Sequence, residues 1–577
     1  MAYKITQELC SACHRCRMEC PVHAIRFKNA KYWIDPEKCI SCGKCVAVCH
    51  NECISDPEHP KAPAPAHEKV IKECDVCVLG AGGSGMMAAN KAQDLGAKVV
   101  LLEKMHEVGG SSWYAAGFRT HWSKKHAELG FQDNREQLYR EFMEKTGYRD
   151  NPKLVRRMFE ANEQFADWLM DEHDIGDEYQ FERGGMGHGK EFVVLKPQRA
   201  WKDAAKRIDK MIGPGEAGSF LAEHMQDEFL KGGGEILFHT AAKKLLMNAD
   251  GSVCGVLADD PGGEVEIHCK AVVVATGAFS RNKELMNKFQ PLFYDDEGKE
   301  PIHIFTGAGC TGDGITMCDE IGADIDYINR RVNMFGPMRH PYPSASMAAY
   351  LAMDGFKITS EGKIFHDHMG VEVSPLISDP KWMGWKIADD TICETALEES
   401  MQEPPQSPGM DLPAFQKHWR EIFAEEALDN SIVMADSIPE LAEKLGIDPV
   451  EFQKNVDEYN ASAGKPVKVP EGMPDFMAPK HSLLPIQKAP FYAIKMKIFH
   501  EDAIGGMTID ENASVLRFGE PIPGLYAAGD TTRGIMVSGD IGVDYLESIF
   551  SALTMAYDEG YIAGTEAGKY ATGIKEG

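Results

Sequence analysis

The sequence predicts an α/β fold: a large domain built on a βαβ unit and preceded by a small α+β domain. Two cysteine runs of identical spacing fall within the first fifty residues. An apolar strand begins at Val76, and a glycine-rich loop joins it to a helix. With 577 residues the chain is too long for one compact core. Its 43% hydrophobic and 26% charged residues are typical of a globular protein, so we expect several folded units.

The charge of the chain excludes some classes of partner. Its formal net charge is -28 and its pI is near 5.2. Nucleic acids and anionic membrane surfaces bind clustered Lys and Arg, so neither is an expected partner. The sequence has no apolar run of about 18 residues and does not begin like a secretory signal. We therefore expect a cytoplasmic protein without a membrane span.

Two cysteine runs define the first predicted domain, residues 1–60. The run CSACHRCRMECP has the spacing C-x2-C-x2-C-x3-C and ends on Pro21. The run CISCGKCVAVCH repeats the spacing, with His50 where the first run has proline. The cysteines of the two runs are Cys10, Cys13, Cys16 and Cys20, then Cys39, Cys42, Cys45 and Cys49.

This spacing is typical of two 4Fe-4S clusters. Three thiolates on one tight loop bind three irons of a cube, while the fourth cysteine, which we expect to begin a helix, binds the other cluster. Cluster one then takes Cys10, Cys13, Cys16 and Cys49, and cluster two takes Cys39, Cys42, Cys45 and Cys20. Structural zinc or disulfides are the alternatives, but zinc ligands usually come in pairs. The segment resembles bacterial-type two-cluster ferredoxins over its whole length, and Cys53, outside both runs, is expected to be a buried thiol.

A proline-rich linker, residues 61–73, separates this segment from a βαβ unit. The letters HPKAPAPAH favour extended chain, as in a spacer. An apolar strand then runs from Val76 to Leu79, a glycine loop opens a helix, and a second strand runs from Val99 to Leu102. This order predicts a Rossmann-like domain.

The glycine loop carries the binding chemistry of that unit. Gly80 allows the tight turn, Gly82 lets a pyrophosphate approach the start of the helix, and Gly85 lets helix and strand pack closely. Gly83 lies within the same loop. Glu103, at the end of the second strand, is placed to bind ribose hydroxyls. The fingerprint alone does not distinguish NAD from FAD.

The motifs LLEKMHEVGGSSWYAAG, AVVVATGAFS, TGDGITM, GGMTIDENASVL and GLYAAGDTT resemble the fumarate reductase and succinate dehydrogenase flavoprotein family over residues 74–577. The resemblance implies a Rossmann-like FAD-binding domain. The positions it implies around FAD are Glu103, Gly109, Gly110, Ser111, Gly117, Thr276, Gly277, Asp313, Gly529 and Asp530. Some members bind FAD covalently through a histidine, at the position where this chain has Ser111, so non-covalent FAD is expected.

The resemblance also implies the domain order. The FAD-binding domain takes residues 74–336 and 503–577. Between them the resemblance implies an inserted α+β capping domain, residues 337–502, that binds the substrate. Closure of such a domain excludes water during hydride transfer.

The resemblance is incomplete at the substrate site. Members of the family reduce a double bond conjugated to a carboxylate, with an arginine as proton donor. The letters RHPYPS place Arg339 and His340 at the substrate-binding HP motif of the family. In the segment GKIFHDHMGVEVSPL, where the resemblance places the proton-donating arginine, the chain has His366 and His368 but no arginine.

Two acidic residues replace substrate-binding residues of the family. Asp502 takes the place of a histidine, and Asp540 takes the place of a carboxylate-binding arginine. An aspartate repels a carboxylate that an arginine would bind. We therefore expect a neutral, phenolic or cationic substrate with an activated alkene, such as an enone, rather than fumarate or succinate.

The candidates for proton transfer are a group of histidine, tyrosine and arginine side chains. His340 and Tyr342 are the preferred pair, because a histidine titrates near neutral pH and a tyrosine can donate to an oxyanion. Arg339 and Tyr545 complete the predicted catalytic set. His366, His368 and His500 are the alternatives.

The predicted function is reduction of an activated C=C bond by hydride from FAD, with electrons supplied through two 4Fe-4S clusters. The alternatives are a dehydrogenase running in reverse and an electron-transfer or bifurcating subunit. A plain NADH-dependent reductase is disfavoured by the single dinucleotide fingerprint. Expected partners are a small-molecule substrate and ferredoxin, flavodoxin or a partner reductase subunit; a homo-oligomer is also allowed.

Overall fold

The architecture is that of a computed structural model. It describes residues 2–7, 9–10, 15–28, 31–49, 51–56, 64–115, 118–171, 173, 179–184, 192–197, 216–289, 303–304, 306–337, 354–365, 378–400, 420, 423–424, 427, 432–466, 481–535 and 552–574.

The strands are β1 (Lys4–Ile5), β2 (Ile25–Lys28), β3 (Lys31–Ile34), β4 (Ile54–Ser55), β5 (Val70–Glu73), β6 (Val76–Leu79), β7 (Val99–Leu102), β8 (Phe118–Thr120), β9 (Tyr179–Gly184), β10 (Phe192–Pro197), β11 (Glu235–Leu237), β12 (Ala241–Met247), β13 (Val253–Asp260), β14 (Gly263–His268), β15 (Ala271–Val274), β16 (His303–Ile304), β17 (Ile325–Pro337), β18 (Phe356–Thr359), β19 (Ile364–Phe365), β20 (Met383–Asp389), β21 (Ile432–Ala435), β22 (Phe491–Met507), β23 (Ser514–Arg517) and β24 (Glu520–Ala527).

The helices are α1 (Arg15–Met18), α2 (Lys44–Ala47), α3 (Gly83–Asp94), α4 (Lys124–Glu128), α5 (Arg135–Lys145), α6 (Pro152–Asp171), α7 (Glu216–Lys231), α8 (Lys283–Phe289), α9 (Asp313–Glu320), α10 (Asp390–Ser400), α11 (Ile438–Leu445), α12 (Pro449–Asn460) and α13 (Ala552–Thr572), with a 3₁₀ helix at Gly110–Tyr114. Among these described helices, none has the length and apolar character needed to cross a bilayer.

The N-terminal segment is a small α+β unit. Strand β1 pairs with β4 and β2 pairs with β3, both antiparallel, around a core that contains the fully buried Tyr32. The expectation that the fourth cysteine of each run begins a helix is wrong. Helices α1 and α2 contain the third cysteines, and Cys20 and Cys49 follow their ends. In the second run the helix begins this early because Gly43, at φ 75°, turns the chain immediately before α2.

A six-stranded sheet forms the centre of the larger unit, in the order β11-β7-β6-β15-β24-β23. Its first five strands are parallel, and β23 is antiparallel to β24. All residues of β6, β7 and β15 are buried, as expected for parallel strands covered on both faces. The structure confirms the predicted strands Val76–Leu79 and Val99–Leu102 and the α/β class.

Helix α13 packs directly against α3, the helix that follows the glycine loop. A Cβ atom on Gly560 would lie 2.4 Å from the carbonyl oxygen of Ser84, and one on Gly564 would lie 2.4 Å from that of Ala88. The two helices therefore touch backbone to backbone. This contact fixes α3, and the loop before it, relative to the sheet.

A second sheet has the order β16-β22-β20-β18-β19, with β17 and β21 also paired to β22. With α11 and α12 it surrounds a separate core that contains the buried Tyr492 and Phe452. The long strands β17 and β22 are antiparallel, from Ile325 opposite Met507 to Pro337 opposite Met496. The predicted domain boundaries at 336/337 and 502/503 fall at the end of β17 and within β22. Those boundaries stay a prediction.

Candidate functional site

The glycine loop turns the chain from β6 into α3. Gly80 has a φ of 97°, and a Cβ atom there would lie 2.4 Å from the carbonyl oxygen of Ala275. A Cβ atom on Gly85 would lie 1.8 Å from the carbonyl oxygen of Gly80. Both positions require glycine because the backbones of strand and helix are in contact. Gly82 differs, since nothing lies within 4 Å of the position its Cβ would take.

Glu103 is held rigidly just after β7. Its Oε2 accepts a hydrogen bond from the N–H of Ala81 at 2.7 Å, and its Oε1 accepts one from the N–H of Met105 at 2.7 Å. The side chain is buried. Two backbone donors therefore fix a carboxylate beside the glycine loop, where each oxygen retains a second lone pair for a hydroxyl group.

A cavity of about 900 Å³, part of it open to solvent, lies at the carboxyl ends of β6, β7 and β15. Ligands of open parallel sheets bind at this edge. Ten residues selected from the sequence line its wall: Gly80, Gly82, Gly83, Glu103, Gly110, Ser111, Thr276, Gly277, Asp313 and Asp530. Gly85, Gly109 and Gly529 do not line it, and Gly117 lies outside the described residues.

Two of the glycines that do not line the cavity shape its wall. Gly109, at φ 110°, donates its N–H to the carbonyl oxygen of Ala81 at 2.7 Å. Gly529, at φ 78°, donates its N–H to Oε2 of the buried Glu559 at 2.8 Å. Both glycines have a positive φ, which favours glycine, and these hydrogen bonds fix the loops to which they belong.

Lys104 is a cavity residue that the sequence analysis did not select. Its Nζ donates to the Asp313 carboxylate at 2.6 Å and to the Thr311 hydroxyl at 2.5 Å. Thr311 in turn donates to Asp313 at 2.8 Å. The sequence signal that could have identified Lys104 was its position directly after Glu103, which brings a cation to the end of the same strand.

Ser111 and Cys310 form another part of the wall. The Ser111 hydroxyl accepts the N–H of Gly307 at 3.1 Å and lies 3.2 Å from the Cys310 Sγ. Burial raises the pKa of the Cys310 thiol, and its hydrogen bond to Ser111 opposes that rise. Cys310 is therefore a neutral thiol in the cavity wall. Nothing in the sequence distinguished it from the other scattered cysteines.

These groups fit a dinucleotide. The N-terminus of α3, at Gly82 and Gly83, is the positive end of a helix dipole and suits a pyrophosphate. The N–H of Gly83 donates to the Ser112 hydroxyl at 3.2 Å, which places that hydroxyl in the same wall. Lys104 adds a positive charge, and Glu103 is the carboxylate expected for ribose hydroxyls.

The cysteine-rich segment contributes to the same cavity. Asn51, two residues after Cys49, lines it and is only 3% exposed. The Asn51 Nδ2 donates to the carbonyl oxygen of Leu9 at 3.0 Å. The next residue, Glu52, lies 3.7 Å from the Nδ1 of His106. The two units of the chain therefore meet at the cavity wall.

Within the cysteine-rich segment, Cys49 lies near Cys10 and Cys53. Its Sγ is 3.4 Å from the Cys53 Sγ and accepts the Cys53 N–H at 3.3 Å. The hydrogen bond from the Cys53 side chain is the largest cause that lowers the pKa of Cys49, and the neighbouring Cys10 raises it. Hydrogen bonds to both Cys10 and Cys49 raise the pKa of Cys53 far above its ordinary range, so Cys53 stays a thiol.

Cys20 lies near the cysteines of the second run. The pKa of Cys45 is raised to about 11, first by burial and then by the nearby thiolates of Cys39, Cys42 and, more weakly, Cys20. No three His, Cys, Asp or Glu side chains of the described residues converge as the ligands of one metal ion do. On a four-iron cube, however, each thiolate binds its own iron. The exchange of fourth cysteines requires Cys49 to lie near the first run and Cys20 to lie near the second. The ligand assignment stays a prediction, and Cys13 lies outside the described residues.

Comparison with known families agrees with both the dinucleotide cavity and the cysteine-rich segment. Residues 75–539 match the family described as FAD binding domain, and residues 2–50 match the 4Fe-4S dicluster domain. The chain belongs to the FAD binding domain family. It is an iron-sulfur flavoprotein, and its cofactors are FAD and 4Fe-4S clusters. The predicted family and cofactors are thereby confirmed.

Three curated relatives are similar over most of the chain. The NADH:fumarate oxidoreductase of Klebsiella pneumoniae is 28% identical, and the match covers 87% of this chain and 48% of that protein. The urocanate reductase of Eggerthella lenta is 26% identical, over 85% of this chain and 75% of that protein. The vinyl phenol reductase of Lactiplantibacillus plantarum is 26% identical, over 80% of this chain and 90% of that protein. The chain thus spans about half the length of the first of these relatives.

Two solved structures have the same fold. The open conformation of a flavocytochrome c3 fumarate reductase matches with a TM-score of 0.64 at 22% identity, covering 88% of this chain and 79% of that one. The 3-ketosteroid delta1-dehydrogenase of Sterolibacterium denitrificans matches with a TM-score of 0.64 at 16% identity, covering 87% of this chain and 100% of that one. At these identities the likeness concerns the fold alone.

The predicted catalytic residues lie outside the described part of this FAD binding domain protein. Arg339, His340 and Tyr342 follow directly after β17, and Tyr545 lies between Ile535 and α13. Of the alternatives and the acidic replacements, His366, His368 and Asp540 also lie outside the described residues. His500 and Asp502 belong to β22. In that strand His500 is opposite Asn333 and Asp502 is opposite Val332.

A pair of glycine substitutions tests the FAD site. In Gly82→Ala the new Cβ meets no protein atom within 4 Å but enters the cavity, so we expect the FAD dissociation constant to rise by about tenfold or more. Flavin fluorescence titration of the apoprotein measures it, and the melting temperature of the apoprotein should not change.

The matched variant Gly85→Ala should instead lower the stability of the apoprotein. Its Cβ would lie 1.8 Å from a backbone oxygen that cannot move aside, so the apoprotein should lose melting temperature and soluble yield. Gly82→Ala protein that binds FAD as tightly as wild type would contradict the site.

A pair of cysteine substitutions tests the ligand assignment. Cys49→Ala should lower the iron content from about eight to about four atoms per chain, because one cluster loses a ligand. Cys53→Ala should retain about eight, because Cys53 is a hydrogen-bond donor to a ligand and not itself a ligand. Iron analysis and the electron paramagnetic resonance (EPR) spectrum of the reduced protein measure both. Full iron in Cys49→Ala, or half the iron in Cys53→Ala, would refute the assignment.

Proposed function

We propose that this oxidoreductase reduces an activated carbon-carbon double bond with electrons that enter through its two clusters. The observation that carries the proposal is the shared wall: Asn51, two residues after the predicted ligand Cys49, lines the FAD cavity. When bound, FAD couples single electrons to two-electron hydride chemistry, and the clusters carry single electrons. A dicluster segment that shares a wall with the FAD cavity supports electron transfer between clusters and FAD within one chain.

The named relatives support reduction of an alkene. One is named for reduction of urocanate, one for vinyl phenol and one for fumarate. Relatives of similar identity thus act on different alkenes, so substrate choice depends on side chains of each site and not on the fold. The match covers only 48% of the protein named for NADH and fumarate, so its use of NADH is not carried over to this chain.

The charge of the substrate site supports a substrate other than a dicarboxylate. Asp540 stands where the resembling family has a carboxylate-binding arginine, and Asp502 stands where it has a histidine. Two carboxylates repel each other, whereas a guanidinium binds a carboxylate through two hydrogen bonds. We therefore propose a neutral, phenolic or cationic substrate, such as an enone or a vinyl phenol.

The residues after β17 are the proposed proton donors. Strand β17 ends at Pro337, opposite Met496 of β22, and Arg339, His340 and Tyr342 follow it in the sequence. A protonated histidine can release a proton to the substrate carbon, and a tyrosine hydroxyl can donate to a substrate oxygen. We assign these roles to His340 and Tyr342. Arg339 and Tyr545 are the further candidates.

We also infer the electron partner and the compartment. Two clusters suit a low-potential one-electron partner such as ferredoxin, flavodoxin or a reductase subunit. No disulfide joins any of the fifteen cysteines of the described residues, which supports a reducing compartment such as the cytoplasm.

The substrate class is tested by flavin reoxidation. Protein reduced with dithionite under anaerobic conditions is mixed with 4-vinylphenol, cyclohex-2-enone or fumarate, and flavin absorbance is followed. The best neutral alkene should reoxidise the flavin at least about tenfold faster than fumarate, because the substrate site repels a dicarboxylate.

Two variants of one residue serve as controls. Asp540→Arg should raise the fumarate rate relative to the neutral alkene, whereas Asp540→Asn, which removes charge without adding a cation, should raise it less. Fumarate as the fastest substrate of the wild-type protein would overturn the proposed substrate class. Reduced protein that reacts with no alkene but exchanges electrons with a partner protein would favour the electron-transfer subunit instead.

A further inference from the structure

Asn51 reaches the FAD cavity from outside the FAD-binding match. That match begins at residue 75, and the dicluster match ends at residue 50. Asn51 is nevertheless 3% exposed and lines the cavity together with Glu103 and Lys104. Its side chain is fixed by the hydrogen bond to the Leu9 carbonyl oxygen. Neither family pattern therefore includes this part of the cavity wall.

Backbone contacts locate the segment 51–52 at one end of the cavity. The N–H of Thr240 donates to the Glu103 carbonyl oxygen at 2.9 Å, and the N–H of His239 donates to that of Met105 at 3.0 Å. The chain after β11 therefore runs beside the end of β7. The Glu52 carboxylate lies 3.8 Å from the Nδ1 of His239, so the dicluster segment docks on this pair of strand ends.

This end of the cavity suits the adenosine half of the cofactor. The pyrophosphate belongs at the start of α3, and the carboxylate after β7 belongs to the ribose of adenosine. Thr240 and Ala242 line the cavity beside that carboxylate, together with Asn51. A carboxamide both donates and accepts hydrogen bonds, as the ring nitrogens, amino group and hydroxyls of adenosine require.

We propose that Asn51 binds the adenosine half of FAD, so that the cofactor itself helps to hold the dicluster segment on the flavin domain. The ion pairs of Glu52 with His106 and His239 contribute little to this joint. The Glu52 side chain is 40% exposed and those of His106 and His239 are 29% and 36% exposed, and exposed ion pairs contribute little to stability. A nucleotide that contacts both units therefore strengthens the joint.

ADP is the probe, because it contains the adenosine and pyrophosphate of FAD without the flavin. In Asn51→Ala, the dissociation constants of ADP and of FAD should rise by a similar factor, about tenfold, as expected for one lost buried hydrogen bond. Calorimetry measures ADP and flavin fluorescence measures FAD, both on FAD-free protein that retains its clusters. Asn512→Ala, at an exposed asparagine, is the matched control and should change neither constant.

Iron content and the EPR spectrum of the reduced clusters show whether the variant has folded. Unchanged constants for both ligands, with intact clusters, would overturn the proposal. A weaker FAD complex with unchanged ADP binding would overturn the placement at adenosine.

A measurement on wild-type protein needs no substitution. Hydrogen-deuterium exchange of peptides that contain residues 49–56 should slow when ADP is added to FAD-free protein, because the nucleotide contacts this segment. Peptides from α12 should not change. Exchange at 49–56 that is unaffected by saturating ADP would overturn the proposal even if Asn51→Ala fails to fold.

Discussion

The contact between α3 and the parallel sheet determines the rest of the site. Gly80 and Gly85 let the helix start within van der Waals contact of the strand ends, and α13 packs against α3 backbone to backbone. Only this close approach brings the N-terminus of α3, the fixed carboxylate of Glu103 and the charge of Lys104 to one cavity. A side chain at either glycine would separate these groups, and the cavity would no longer match a dinucleotide.

The second constraint is the position of the dicluster segment. Asn51 lies two residues from Cys49, and hydrogen bonds from Cys53 stabilise the thiolate form of Cys49. A predicted cluster ligand and a wall of the FAD cavity thus belong to one short stretch of chain. The structure therefore joins the dicluster segment to the FAD-binding domain at the end of the cavity that suits adenosine.

The sequence was sufficient where local pattern determines structure. The strands Val76–Leu79 and Val99–Leu102 were predicted to the residue, because short apolar runs next to a glycine loop have few alternative conformations. The helix expected at the fourth cysteines was wrong, because the turn at Gly43 begins α2 earlier. Asn51 was missed because its contact joins residues about fifty positions apart in two separately folded units, which leaves no periodic signal. The proposed catalytic residues depend on resemblance alone.

The most direct test is the order in which the cofactors are reduced. Oxidised protein is mixed in a stopped-flow instrument with a limiting amount of a one-electron donor such as reduced ferredoxin, and cluster and flavin absorbance are recorded separately. The clusters should be reduced first, and the flavin should then bleach at the rate at which the clusters are reoxidised. Flavin that bleaches before the clusters, or at an unchanged rate in protein without clusters, would contradict electron entry through the dicluster segment.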